Sequence, residues 1–220
     1  MNILQKIIIT VGITSLWCFF HSFLISRTLK KKIGAATGLQ QENYRIFYNL
    51  FSIFTLLPII WFLIAPPQTL LFDWTGILRL PQTVILLYAF MMFYGGWRDY
   101  DMEVFWGFKE QPSTDQDLQT DGIHAYIRHP WYSGGIAFLW GIGWYTDINL
   151  AARVVFTIYL LIGGILEERK LIRRFGRSYE VYRKQAGMFW PWKKRIYPVI
   201  NDSLCRRPSY SGAGCRRILN

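Results

Sequence analysis

Five blocks of apolar residues, at 3–25, 46–65, 77–97, 131–146 and 150–166, leave this chain little freedom in what it can fold into. A hydrocarbon core of about 30 Å is crossed by roughly 20 apolar residues in a helix. Inside it every backbone N–H and C=O must be satisfied within the protein, and a helix does this segment by segment. The blocks therefore predict an all-α integral-membrane bundle of about five transmembrane helices. The last two blocks are short and only residues 146–149 part them, which predicts a tight helical hairpin. That hairpin would bring residues 128–132 and 166–168 to one end. Ten tryptophans and an aromatic share of 18% fit the same class, because Trp and Tyr favour membrane–water interfaces. The first block has a single lysine, Lys6, ahead of most of its apolar run and no small-residue cleavage site, so it reads as a retained span.

The formal net charge is +11. Its placement argues against nucleic acid. Arg27, Lys30, Lys31, Lys32 and Arg45 fall between blocks one and two, and fourteen Lys and Arg follow residue 166. The stretches between blocks two and three, and between four and five, are nearly bare. The positive-inside rule then puts the N-terminus outside and the C-terminus in the cytoplasm, the parity that five spans require. The basic residues serve orientation and contact with anionic membrane lipids. Residues 1–200 read as one membrane domain, and 201–220 as a disordered basic tail. Beyond block five, Leu171, Ile172, Phe175, Tyr179 and Tyr182 recur at three-to-four spacing, which predicts a C-terminal amphipathic helix. Cys18, Cys205 and Cys215 form no metal-ligand spacing, and no metal is expected.

Polar chemistry gathers at three places on the edges of these blocks. The first is GIHAYIRHPWYSGG, residues 122–135. Pro130 suits the first turn of a helix, where its missing N–H is no loss. A helix start favours negative partners, and Arg128 and His129 add charge and donors there. The same residues also suit a plain juxtamembrane anchor. The second is Glu167-Glu168 at the end of block five. Two carboxylates at an apolar edge are costly unless paired or solvated. One could face the bundle and receive a cationic or zwitterionic ligand, or the pair could be closed by Arg128. The third is His21-Ser22 in block one with Arg45, Tyr48 and Asn49 at block two, which could do no more than bond two spans together. The segment 98–130 is the longest polar stretch, and its YDMEVFWGF part is aromatic enough to lie at the interface.

DGIHAYIRHPWYSG followed by EERKLIRRFGRSYEVYRK resembles the membrane methyltransferases of the isoprenylcysteine carboxyl methyltransferase superfamily. HSFLISRTLKKKIG, YRIFYNLFS and YDMEVFWGFKEQ, in that order, are similar to its bacterial branch, which includes methanethiol S-methyltransferase and the NnrU-type proteins. The resemblance spans residues 19–192. It implies S-adenosyl-L-methionine as cofactor, bound at the cytoplasmic ends of the last two spans, and a location in the bacterial inner membrane. Carried over by position, the cofactor pocket would use Gly122, Ile123, His129, Pro130, Tyr132 and Glu167, with Arg128 bracing the corner. Two departures stand out. Members acting on prenylated cysteine carry a tyrosine at the place of His124 and a substrate-binding arginine at the place of Gly163. Glycine cannot pair a carboxylate as guanidinium does, so the expected acceptor is a small molecule, a thiol above others. Thiolate is the nucleophile; His124, His129 and Asp101 are the candidate bases, His129 being a candidate cofactor residue as well. Carboxyl or lipid-amine methylation, and a non-enzymatic accessory protein of the NnrU type, are the alternatives.

Overall fold

In the computed structural model, the described residues are 2–38, 41–65, 67–109 and 118–191. The expected tail, 201–220, and Trp192 lie outside them. Among them are eight α-helices: α1 (Ile3–Leu24), α2 (Arg27–Thr37), α3 (Gln41–Ile64), α4 (Arg79–Asp99), α5 (Met102–Trp106), α6 (Pro130–Gly141), α7 (Asp147–Phe175) and α8 (Arg177–Gln185). Four of these, α1, α3, α4 with the turn before it, and α7, are long and apolar enough to cross a membrane. Their large exposed side chains are apolar, Phe19, Trp61, Leu87 and Ile158 among them. This is the surface an integral-membrane protein turns to lipid.

The apolar blocks become helices as expected, but their ends differ. Block four forms only the 12-residue α6, about 18 Å long. Its helix stops at Gly141, and the chain runs on to a short strand, β2 (Tyr145–Thr146), paired antiparallel with β1 (Leu70–Phe72). The carbonyls freed at the end of α6 need donors. Arg153 of α7 supplies them, donating to Leu139, Ile142 and Trp144 while its guanidinium stacks on the Tyr145 ring at 4.5 Å. Thr146 then caps α7 in a reciprocal box with Asn149. Helix α7 is longer than expected, 29 residues, or about 44 Å. Twenty residues from Asp147 reach Leu166, so Glu167 and Glu168 stand where a span of ordinary length ends.

The predicted amphipathic continuation is split. Gly176, at φ 52°, breaks the helix, and α8 turns back from it. The stripe lies inside the protein: Tyr179 and Tyr182 are buried with Ala186, packed by Leu118, Leu171, Ile172 and Phe175. Helix α1 packs on α3 and α7. Its fully buried Thr10 and Thr14 turn their hydroxyls onto the carbonyls of Lys6 (2.8 Å) and Thr10 (2.6 Å), so close approach leaves no polar group bare. Lys6 Nζ reaches the Pro67 carbonyl at 2.5 Å, which places the start of α1 at the strand end of the bundle. The opposite end holds residues 97–109 and 118–130, the last third of α7, and α8.

Candidate functional site

At that opposite end a cavity of about 900 Å³ opens. Its size lies at the upper end for small-molecule pockets. One wall is the corner 122–130. After α8 the chain returns and zips to this corner: Arg128 N–H donates to the Gly187 carbonyl at 2.8 Å, Gly187 N–H to Tyr126 at 3.0 Å, and His129 N–H to Met188 at 3.2 Å. Ser133 Oγ holds the Phe189 carbonyl at 2.7 Å, and Trp190 stacks on Tyr88 at 5.4 Å. Pro130 is the first residue of α6 and is fully buried.

The two glutamates face different surroundings. Glu168, 6% exposed, accepts from Arg128 Nε (2.9 Å), Arg128 Nη2 (3.0 Å), His129 Nε2 (2.8 Å) and Tyr179 OH (2.5 Å), with Arg183 Nε at 3.1 Å. Arg128, 9% exposed, directs its remaining donors to the carbonyls of Ala186 (2.5 Å) and Arg183 (3.2 Å). This is a closed network, in which a bidentate pair sets the geometry. Burial, and then the bond to Glu168, pushes the Tyr179 phenol above its usual range, so it stays a donor. Glu167 is 36% exposed in its side chain and lines the cavity, 3.9 Å from His129 Nδ1. The ion pair with Arg128 is therefore made by Glu168, and Glu167 faces the cavity.

Of the nine residues singled out from sequence, Asp101, His124, Arg128, His129 and Glu167 line the cavity. The other four stand behind them. Gly122 has φ 59°, and a Cβ there would lie 2.8 Å from Asp99 Oδ2, so only glycine fits this turn against the carboxylate. Ile123 seats on Gly95, and the Tyr132 ring covers Gly163. His124 is buried beside Asp99, its Nε2 4.0 Å from Oδ2. Burial holds its pKa below the ordinary histidine value, against the pull of Asp99. Asp101 caps α5 through Glu103 N–H (3.1 Å) and Val104 N–H (3.3 Å), and pairs with Lys109 at 3.9 Å.

Sequence reasoning passed over Asp99, whose Oδ2 is buried and accepts no hydrogen bond among the described residues. It also passed over Glu168 as the anchor of the corner. The signal for Glu168 was present: it shares a helical face with Gly164, Leu171, Ile172 and Phe175, all of which turn inward. The opposite side of the cavity comes from α1–α3, with His21, Lys30, Arg45 and Tyr48. Arg45 donates to the Val104 carbonyl at 2.5 Å and Asn49 to that of Phe105 at 3.1 Å, which docks α5 on α3. Asp99 and Glu167 thus face Lys30 and Arg45 across one space. A cavity so lined can hold a ligand that carries both charges. No group of three or more potential metal ligands occurs among the described residues.

Residues 9–193 match the family model described as NnrU protein. A methanethiol S-methyltransferase of Crocosphaera subtropica is 26% identical over 203 residues, 87% of this chain and 77% of that protein. Methanethiol S-methyltransferase 1 of Bradyrhizobium diazoefficiens is 34% identical over 84 residues, 38% of this chain and 30% of that protein, so this alignment spans under a third of the relative. A protein-S-isoprenylcysteine O-methyltransferase of Schizosaccharomyces pombe is 40% identical over 79 residues, 34% of this chain and 33% of that protein. No solved structure matches.

Proposed function

This chain belongs to the NnrU family, and from that membership and its two-signed cavity we propose that it is an integral-membrane methyltransferase dependent on S-adenosyl-L-methionine. Its acceptor is a small thiol, and transfer is in line. The protein lies in a bacterial inner membrane with the N-terminus outside and the cavity at the cytoplasmic end. The names of the relatives support methyl transfer, and the run of basic residues at 27–45 and after 166 supports the orientation.

The observation that carries the reading is the lone carboxylate oxygen of Asp99 beside Glu167 in the cavity. A buried carboxylate oxygen that accepts no hydrogen bond is costly, and a cationic ligand relieves that cost. The residues present fit the cofactor in charge and in space. Asp99 and Glu167 would hold its positive groups, and Lys30 and Arg45 its carboxylate. Gly122, Ile123 and Pro130 shape the turn behind it. Arg128 braces the corner through Glu168 and so aims His129. When bound, the cofactor supplies an electrophilic sulfonium methyl.

The chain's own work is to orient the acceptor, exclude water and take up its proton. His124, kept neutral by burial, belongs with Asp99 at the donor side. The Tyr132 ring lies where a side chain at position 163 would stand, 3.1 Å from a Cβ built there. That favours an acceptor with no carboxylate to be paired. Calorimetry with S-adenosylmethionine on detergent-purified protein tests the reading, with Asp99→Asn beside wild type. Saturable binding that weakens in the variant, followed by transfer of a labelled methyl to ethanethiol, is the expected result. A folded wild type that binds no S-adenosylmethionine overturns it.

A further inference from the structure

A second, smaller cavity of about 220 Å³ lies between α1 and α3, walled by apolar side chains such as Leu16, Phe20 and Phe51. The two cavities have one lining residue in common, His21. Its ring is stacked on Trp17 at 4.7 Å and fixed by two hydroxyls from α3. Tyr48 OH lies 2.7 Å from Nε2 and 3.1 Å from Nδ1, and Ser52 Oγ 3.1 Å from Nδ1. With the proton on Nδ1 and donated to Ser52, Nε2 keeps its lone pair and accepts from Tyr48 OH. Both His21 and Tyr48 also line the large cavity.

Resting on the methyltransferase reading, we propose that His21, acting with Tyr48, takes the proton of the methyl acceptor. The bases expected from sequence are otherwise engaged: Asp101 caps a helix and pairs with Lys109, His124 lies against Asp99, and His129 is held by Glu168. His21 stands where an apolar chamber meets a polar one. An uncharged thiol can approach it there without first losing its proton in water. As the acceptor sulfur forms its bond to the methyl carbon, the carbon–sulfonium bond breaks and its electron pair stays on the departing sulfur. The acceptor's S–H proton passes to the Tyr48 oxygen while the Tyr48 proton passes to His21 Nε2. The products are a thioether, the demethylated cofactor and an imidazolium, which returns its proton to water through the cavity. The titratable and charged groups that face His21 are Tyr48 from α3, Tyr159 from α7 with its ring at 6.1 Å, and Lys30, Arg45 and Glu167 across the cavity.

The test compares wild type with His21→Gln and Tyr48→Phe. Each is measured for S-adenosylmethionine binding, for turnover with ethanethiol across pH, and for the ultraviolet difference absorbance of thiolate when ethanethiol binds beside S-adenosylhomocysteine. We expect His21→Gln to bind the cofactor as wild type does, to show no thiolate band, and to lose turnover by about 10²-fold or more at neutral pH. The loss shrinks as pH rises toward the thiol's own pKa, where ethanethiol ionises without help. Added imidazole restores part of the rate in His21→Gln, and Tyr48→Phe, which cuts the same relay at its first member, shows a loss at least as large and of the same pH form. Turnover and thiolate band equal to wild type in His21→Gln overturn the proposal while leaving the methyltransferase reading intact. So does a loss that is uniform in pH and unmoved by imidazole. Absence of cofactor binding by the wild type overturns both.

Discussion

The adjacent glutamates at the end of α7 should separate cleanly into one that holds the protein together and one that holds a ligand. Glu168→Ala leaves Arg128 and His129 facing each other at under 10% exposure without the carboxylate that joins them. Removing one partner of a buried ion pair costs about 3–5 kcal/mol, because the remaining charge is stranded. At about 2–4 °C per kcal/mol for a chain of 150–250 residues, the melting temperature falls by roughly 6–20 °C. Glu167→Ala removes a carboxylate whose side chain is 36% exposed and 3.9 Å from His129 Nδ1, an arrangement worth about 0–1 kcal/mol, so its melting temperature falls by less than about 4 °C. Its effect appears instead in S-adenosylmethionine binding. A hydrogen bond to a charged group contributes about 1.5–3 kcal/mol, so Kd rises roughly 10- to 150-fold. Buried Cys18 provides the assay. In a background with Cys205 and Cys215 changed to serine, a thiol-reactive dye reports unfolding in detergent through Cys18 alone. Equal melting temperatures for the two alanine variants, or unimpaired binding in Glu167→Ala, would refute the division.

Three further outcomes follow from the same geometry. Gly164→Ala puts a Cβ 2.7 Å from Phe189 Cζ and should cost about 1–3 kcal/mol by overpacking, seen in the same dye assay. Gly122→Ala is strained at φ 59° and collides with Asp99; calorimetry should show weaker cofactor binding, with the variant still folded. His124 has a folded pKa below its unfolded value of about 6.5, so the unfolded chain binds the extra proton between the two. Its contribution to stability is present above pH 6.5 and is lost as pH falls toward the folded pKa, and His124→Gln should flatten that part of the melting-temperature profile.

Much of this was legible in the chain because lipid imposes a simple rule on composition. The apolar blocks marked the spans, and Pro130 marked the start of α6. Helix ends were less legible. Nothing in the run 131–146 says that its second part is a strand, because the partner, Leu70–Phe72, lies some 75 residues earlier and pairing across that gap leaves no local mark. The continuation of the last span past Glu167 and Glu168 was legible, but its break at Gly176 was not, because the apolar three-to-four spacing runs on from Phe175 to Tyr179 and Tyr182 across it. The site was legible as a set of residue types and not as a set of roles. Adjacent glutamates look alike in sequence. Their roles diverge only when a 100° step along the helix turns one to Arg128 and the other to open space. Asp99 escaped notice because its meaning comes from Gly122, a contact between α4 and a turn more than 20 residues away.

The seam between residues 126–129 and 187–188 also bears on how the protein is made. Synthesis runs from the N-terminus, and every apolar segment is complete by residue 166. All the spans can therefore enter the bilayer while the corner is still half built. The corner closes only when α8 has formed, folded back at Gly176 and delivered Gly187 and Met188 to their partners. A ribosome stalled between residue 168 and that point would leave every span made, with Arg128 and Glu168 in place but the Arg183 and Ala186 carbonyls that take Arg128's remaining donors missing. The chamber is thus the last part of the molecule to exist, and a translation-arrest series should show membrane integration well before it shows ligand binding.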